Sequence, residues 1–331
     1  MQRILIIKLG ALGDIIIAIP HIKRIVEGYP EDEVWLLTAP GFAGLFAGYP
    51  NLKVKSFPRK GIQSLFPPLG WIRSQGFQMV FDLQGSDRSK TMVALSGATR
   101  RYGLGPGFPY THCPPNKGIV GKDVHSFSRL NRLLETAGLP SAQAGPYLEA
   151  SDGQRQKVKD WLAEKGLLGR EIALIHAGSS ARWESKRWAA AHFITLGTIL
   201  EQQGVVVIWV GGSEDAELNQ TLSQNIGIDA TGDFSLLELV ALARHARFAV
   251  TTDSAPMHAI AAAAIPVYAL FGPTDWRRSH AVGQEQRVLV HPVACSPCYL
   301  PECPPRNAHR CLAQLQPGEV LARLRQDGML G

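Results

Sequence analysis

FAVTTDSAPMH, running from Phe248 to His258, is an apolar β-run that ends in three small polar residues, Thr252, Asp253 and Ser254, and reads as a helix from Ala255 onward. Unpaired N–H groups of a first helical turn and the helix dipole converge at such a junction, so it favours an anion. A phosphate is the expected guest. IKLGALGDIII, from Ile7 to Ile17, is a second junction of this kind. Here a strand over Arg3 to Leu9 runs through Gly10, Gly13 and Asp14 into a helix and presents a carboxylate. One junction favours an anion and the other supplies a base.

Around these two junctions the hydrophobic period switches repeatedly between short β-branched runs and amphipathic helices. Strands are expected at Arg3 to Leu9, Glu33 to Thr38, Val54 to Phe57, Met79 to Leu83 and Arg101 to Gly103, with helices between most of them. The second half repeats the pattern with strands at Ile172 to His176, Val205 to Val210, Phe248 to Thr252 and Val267 to Phe271. Its helices are expected near Ala189 to Gln203, Glu214 to Gln224, Leu236 to Ala246 and Ala255 to Ala264, with a terminal amphipathic helix over Pro317 to Leu330. Such alternation implies parallel sheets. Gly138 to Asp152, rich in Pro, Ser, Ala and Gly, reads as a boundary and a hinge. The expected fold is α/β: two Rossmann-like, doubly wound domains, over residues 1–145 and 152–331, facing each other across a cleft.

A chain of 331 residues is too long for one small core, which agrees with two domains of about 150 residues each. Hydrophobic content of 45% with 19% charged residues describes an ordinary soluble protein. Lys8 and Asp14 interrupt the N-terminal stretch that a signal peptide would keep uncharged, and no run approaches about 18 apolar residues, so a cytoplasmic location without a transmembrane segment is expected. The net charge of +6 points to an acidic partner: nucleic acid, anionic lipid headgroups or a phosphorylated small molecule. Lys and Arg are scattered, however, with no tract of five or more basic residues, which argues against a nucleic-acid arm.

In open α/β sheets ligands bind beyond the carboxyl ends of the strands. In the second half those ends carry His176-Ala177-Gly178-Ser179-Ser180, Gly211-Gly212-Ser213-Glu214, Asp253-Ser254 and Gly272-Pro273-Thr274-Asp275. Glycines and hydroxyls at adjacent strand ends make a floor on which a nucleotide diphosphate sits close to the backbone. Lys186, in WESKRW, offers it a point charge. The same residues also serve any α/β fold as turns and caps. GALGD spaces its glycines as Gly-x-x-Gly, not G-x-G-x-x-G, and no G-x-x-x-x-G-K-[ST] occurs, so a dinucleotide oxidoreductase and a P-loop NTPase both lose ground. Asp14 suits a general base for a hydroxyl attacking an activated carbon, or simply an acid favoured by the helix dipole.

Taken in order, KLGALGDIIIAIP, FDLQGSDRSK, IHAGSSARWESKRW, the Gly211-Gly212 strand end, DSAPMHAIAAA and YALFGPTD resemble the glycosyltransferase family 9 heptosyltransferases of lipopolysaccharide inner-core synthesis, over nearly the whole chain. The resemblance implies a GT-B fold and an inverting transfer of heptose from ADP-heptose to the lipopolysaccharide inner core. The C-terminal domain would hold the nucleotide-sugar donor. The N-terminal domain would hold a lipopolysaccharide-type acceptor at the inner membrane surface, the enzyme being cytoplasmic or peripheral to that membrane. Carried over by position, the general base falls on Asp14, the diphosphate lysine on Lys186 and the donor-contacting Asp on Asp253, with Ser254, Ala255 and His258 completing that motif. Ser179, Ser180 and Gly212 fall among the donor-binding residues, and Phe234 falls near the adenine. Ala255 stands where many members have Gly. No cofactor is required, a metal being optional, and no nucleic acid is implied. An acceptor bearing sugar acids and phosphates would be met by Arg59, Lys60, Arg88, Arg129 and Arg132. A different nucleotide sugar or acceptor stays open, as do a Rossmann-type oxidoreductase and a zinc-dependent nucleic-acid-binding module.

Four of the five cysteines fall late, at Cys295, Cys298, Cys303 and Cys311, with Cys113 apart. Disulfides are not expected in the cytoplasm, and four thiols in C-x2-C-x4-C-x7-C with His309 nearby are a candidate structural zinc site. The spacing is not that of a double C-x2-C knuckle, so a bound metal is left open.

Overall fold

The strand cores are near-continuous runs of Val, Ile, Leu and Phe, as parallel strands covered on both faces require. β1 (Arg3–Ile7), β2 (Glu33–Thr38), β3 (Leu52–Ser56), β4 (Met79–Asp82) and β5 (Arg100–Tyr102) pair in parallel in the order β3-β2-β1-β4-β5. They alternate with α1 (Leu12–Gly28), α2 (Phe66–Gln75), α3 (Asp87–Ala94) and α4 (Ser126–Thr136). The computed structural model describes residues 1–58, 62–115, 124–145 and 147–331. The chain divides into two compact units, Met1–Ala144 and Gly145–Gly331.

The second unit opens with α5 (Asp152–Glu164) and continues through β6 (Ile172–His176), α6 (Ala190–Gln202), β7 (Val206–Trp209), α7 (Ala216–Ser223) and β8 (Ile228–Asp229). Then come α8 (Leu236–Ala243), β9 (Phe248–Thr252), α9 (Ala255–Ala261), β10 (Val267–Phe271), α10 (Trp276–Ser279), β11 (Val288–Val290), α11 (Arg310–Ala313) and α12 (Pro317–Gln326). Its six-stranded parallel sheet runs β11-β10-β9-β6-β7-β8. Every residue of β6, β9 and β10 is buried. Trp188, Phe193, Trp209, Phe248 and Tyr268 fill the core, joined by Val320, Leu321 and Leu324 of the terminal helix. At about 1.5–3 kcal/mol for each large apolar side chain removed from water, these residues hold α12 to the sheet. Tyr268 adds a hydrogen bond from its hydroxyl to Asp327 Oδ2 (2.9 Å).

Each sheet has one point where the strand order reverses, between β1 and β4 in the first unit and between β6 and β9 in the second. Chains leave such a point in opposite directions, so the helices that follow splay apart and open a crevice at the carboxyl ends. The Ile7–Ile17 and Phe248–His258 junctions lie at these points.

Some boundaries differ from the sequence expectation. β1 ends at Ile7, because the N–H groups of Leu9 and Gly10 turn to the side chain of Gln84 (2.9 and 3.2 Å to Oε1). α1 begins at Leu12, which places Gly13 and Asp14 inside its first turn. β8 and β11 were not expected; they are two and three residues long at the sheet edges, too short to show a period.

His21 lies on α1 fully buried, its ring nitrogens 3.2 Å from the Ile17 carbonyl and 3.1 Å from the Phe127 carbonyl. Burial pushes its imidazole down to about 4, against the pull of those two hydrogen bonds. The folded value lies below the unfolded one. Stability from the neutral ring is therefore complete above about pH 6.5 and is lost as pH falls toward 4, by about 3 kcal/mol in all. The melting midpoint of the wild type is expected to drop more steeply between pH 7 and pH 4.5 than that of His21→Gln. Equal slopes would show that His21 does not control this loss.

Candidate active site

At the reversal point of the first unit, the turn after β1 is held by the turn after β4. Gly10 takes a φ of +132°, a region open mainly to glycine. Asp14 is exposed at the third position of α1, and its Oδ2 accepts from the N–H of Ala11 (3.2 Å). It therefore caps the helix, as an acid in a first turn should, while its carboxylate stays in reach of solvent. Asp82, fully buried at the end of β4, accepts from Gln84 N (3.0 Å) and Gly85 N (2.9 Å) through Oδ1 and from the Tyr110 hydroxyl (2.7 Å) through Oδ2. Burial raises its pKa above the ordinary carboxylate value. Asp82 thus shapes the turn whose Gln84 holds the approach to Asp14. In the sequence, within FDLQGSDRSK, Asp82 looks like any polar strand end.

At the reversal point of the second unit, Lys186 Nζ lies 2.7 Å from Asp253 Oδ2 and 4.9 Å from the Trp183 ring centre. Asp253 is 6% exposed and also accepts from Thr274 Oγ1 (2.6 Å), so the ends of β9 and β10 and the loop after β6 meet on one carboxylate. Ser254, half-buried, is the N-cap of the two-turn α9, and Ala255 is that helix's first residue. His258 is buried one turn further on. The structure thus brings Lys186, Asp253 and Ser254 to one strand-end cluster.

Other expected donor residues have local partners. Ser179 is buried and donates to the Trp183 carbonyl (2.7 Å) while accepting from Arg187 Nε (3.3 Å), which fixes the 179–187 loop. Ser180 is exposed next to it. Phe234 packs edge-to-face on Trp161 of α5 (5.2 Å between centroids), with Lys157 above it (6.0 Å). At Gly212 an added Cβ would meet nothing within 4 Å.

Gly178 and Gly211 have a reason different from the backbone approach to phosphate read in the sequence. A Cβ on Gly178 would collide with the Asp215 carboxylate, and one on Gly211 would come within 2.6 Å of Asp215 Oδ2. These glycines make room for a buried acid, Asp215, which accepts from Gly212 N (3.0 Å) and lies 3.4 Å from His176 Nε2. Asp215 was missed because GGSED reads as a helix start with acids in its first turn.

Of the basic residues expected to meet the acceptor, Arg88 on α3 donates to the Ser64 hydroxyl (3.0 Å) and carbonyl (2.6 Å). Arg129 and Arg132 sit half-buried on α4. Arg59 and Lys60 lie outside the described residues. The five cysteines are unpaired. Cys311 is buried against Gly272, and its thiol is pushed up to about 11 by burial and then by Cys303, Cys295 and Cys298. His309 Nε2 is 2.6 Å from the Ser185 carbonyl oxygen, and among the described residues no group of three or more His, Cys, Asp or Glu side chains is set to hold a metal ion.

Two parallel, doubly wound units, each with its polar strand-end residues gathered at one strand-order reversal, have the architecture of the GT-B fold class. Residues 71–309 match the model of glycosyltransferase family 9 (heptosyltransferase), and the chain belongs to that family. It is 24% identical over 328 residues to lipooligosaccharide heptosyltransferase 2 of Campylobacter jejuni, covering 95% of this chain and 96% of that protein. Among solved structures it shares its fold with a family 9 glycosyltransferase from Veillonella parvula (TM-score 0.81, 19% identity, 98% of this chain and 96% of that one). The same holds for the ADP-heptose lipopolysaccharide heptosyltransferase II of E. coli (TM-score 0.72, 19% identity, 98% of each chain). No helix among the described residues is long and apolar enough to cross a membrane.

Proposed function

We propose that this chain transfers heptose from ADP-heptose to the inner core of lipopolysaccharide, with inversion at the anomeric carbon. The observation that carries the reading is the Lys186–Asp253–Thr274 cluster at the strand-order reversal of the second unit, a cation held on a buried carboxylate where a diphosphate is expected. Support comes from the names borne by the similar proteins, which are heptosyltransferases along most of their length.

In this reading the second unit takes the donor. Ser254, Ala255 and His258 follow the cluster, Ser179, Ser180 and Gly212 border the diphosphate, and Phe234 borders the adenine. Asp14 of the first unit accepts the proton of the acceptor hydroxyl as that oxygen bonds to the anomeric carbon and the bond to ADP breaks. Negative charge grows on the departing phosphate only as that bond breaks, so a fixed ammonium lowers the transition state more than the bound donor. Lys186 has three donors, enough to keep Asp253 and meet a phosphate oxygen together. No cofactor enters the steps. The acceptor, anionic and at the inner membrane surface, is met by Arg88, Arg129 and Arg132, with Arg59 and Lys60. The test is ADP release and product formation by the purified chain with ADP-heptose and heptose-free core lipopolysaccharide.

A further inference from the structure

We propose that His176, anchored by Asp215, is a positioning residue that turns the Ser254 hydroxyl toward the donor's diphosphate. The inference deepens the donor site proposed above and rests on that reading.

The ring of His176 bridges two strand-end turns. Its Nε2 is 3.4 Å from Asp215 Oδ2, in the turn between β7 and α7, and its Nδ1 is 3.1 Å from Ser254 Oγ and 3.4 Å from Thr252 Oγ1, at the end of β9. The pair is deeply buried, His176 being 2% exposed and Asp215 4%. Ser254 is the only member of the chain Asp215–His176–Ser254 that is not fully buried.

Stability alone does not account for this arrangement. A buried carboxylate with its polar partner is often no better than an apolar pair of the same volume, and here it requires glycine at both 178 and 211. Among the described residues, moreover, no donor reaches Asp215 Oδ1. A packed apolar core would need neither glycine and would leave no such oxygen.

Proton accounting gives the pair a task. A carboxylate only accepts, so Asp215 requires the proton of the ring on Nε2. Thr252 has one hydroxyl proton and donates it to the Gly178 carbonyl, so a lone pair of Thr252 faces Nδ1. With Nδ1 bare, the Ser254 hydroxyl donates to the ring or to the Thr252 carbonyl (3.4 Å) and shows a phosphate only lone pairs. With a proton on Nδ1, the ring donates to Ser254 Oγ, and the hydroxyl proton can exchange the longer contact to the Thr252 carbonyl for a phosphate oxygen. A diphosphate that accepts from Ser254 therefore requires a donor at the Nδ1 position. Asp215 faces the ring directly, and Asp253, paired with Lys186, lies between the two hydroxyl residues in sequence.

The test is calorimetric titration of the full chain with ADP on a double-mutant cycle. Ser254→Ala and His176→Gln are each expected to weaken ADP binding about tenfold, and the double variant by no more than about the same factor. His176→Asn, whose amide can donate from the Nδ1 position, is expected to recover most of the affinity. Rescue by asparagine where glutamine fails is a pattern that a merely structural histidine would not produce. Should His176→Gln not fold, Asp215→Asn takes its place in the cycle. Losses that multiply to about a hundredfold, or unchanged ADP affinity in His176→Gln, would overturn the inference while leaving the donor site standing. A folded wild type that does not bind ADP would overturn both.

Discussion

Asp14→Asn is expected to bind ADP as the wild type does and to transfer heptose more slowly by about 10²-fold or more, the usual effect of removing a general base. The variant separates chemistry from folding unusually well. Asp14 is exposed, and its one structural task among the described contacts is to accept from Ala11 N at the start of α1, which an asparagine carbonyl oxygen also does. What the amide cannot do is take a proton from a hydroxyl. An unchanged melting midpoint with a collapsed turnover number would therefore place the loss in the proton transfer. Turnover at the wild-type rate would remove Asp14 from the mechanism and leave it a helix cap.

Lys186→Ala is expected to have the second large effect, lowering both ADP affinity and turnover, each by about 10²-fold. Two contributions act in the same direction. The ammonium that would meet the diphosphate is gone, and Asp253 is left nearly buried with Thr274 as its remaining side-chain partner among the described residues, an uncompensated negative charge beside an incoming anion. Breaking one partner out of a buried ion pair costs about 3 kcal/mol or more. The double variant Lys186→Ala, Asp253→Asn removes that charge and should regain part of the ADP affinity but little of the turnover. Calorimetry with ADP measures the first and a transfer assay the second. Unchanged ADP affinity in Lys186→Ala would mean that the lysine serves only Asp253.

The parts of this molecule that the sequence made readable are those written in period and punctuation. β2, β6, β9 and β10 have the limits expected from their apolar runs, because a buried parallel strand bounded by polar turn residues leaves little freedom in assignment. The reversal points were reachable too, since Gly10 with Asp14 and Asp253 with Ser254 follow directly on such runs. Side-chain pairing across strands was not. Nothing in GGSED says that Asp215 faces His176, thirty-nine residues earlier, and Gly178 and Gly211 look like phosphate-loop glycines until a carboxylate is seen beside both. Asp82 was hidden likewise, because its partner Tyr110 comes from a distant loop. The edge strands β8 and β11 carry too few residues for any period to show.

Heptose transfer itself is measured most simply with the purified wild-type chain, a heptose-free core acceptor and a choice of donors: ADP-heptose, UDP-glucose and GDP-mannose. The expected result is ADP release matched by one heptose added to the acceptor, in the inverted configuration, with little or no product from the other two donors. Preference for a UDP- or GDP-sugar, or a product that retains the donor's anomeric configuration, would rule out a single displacement from ADP-heptose aided by Asp14.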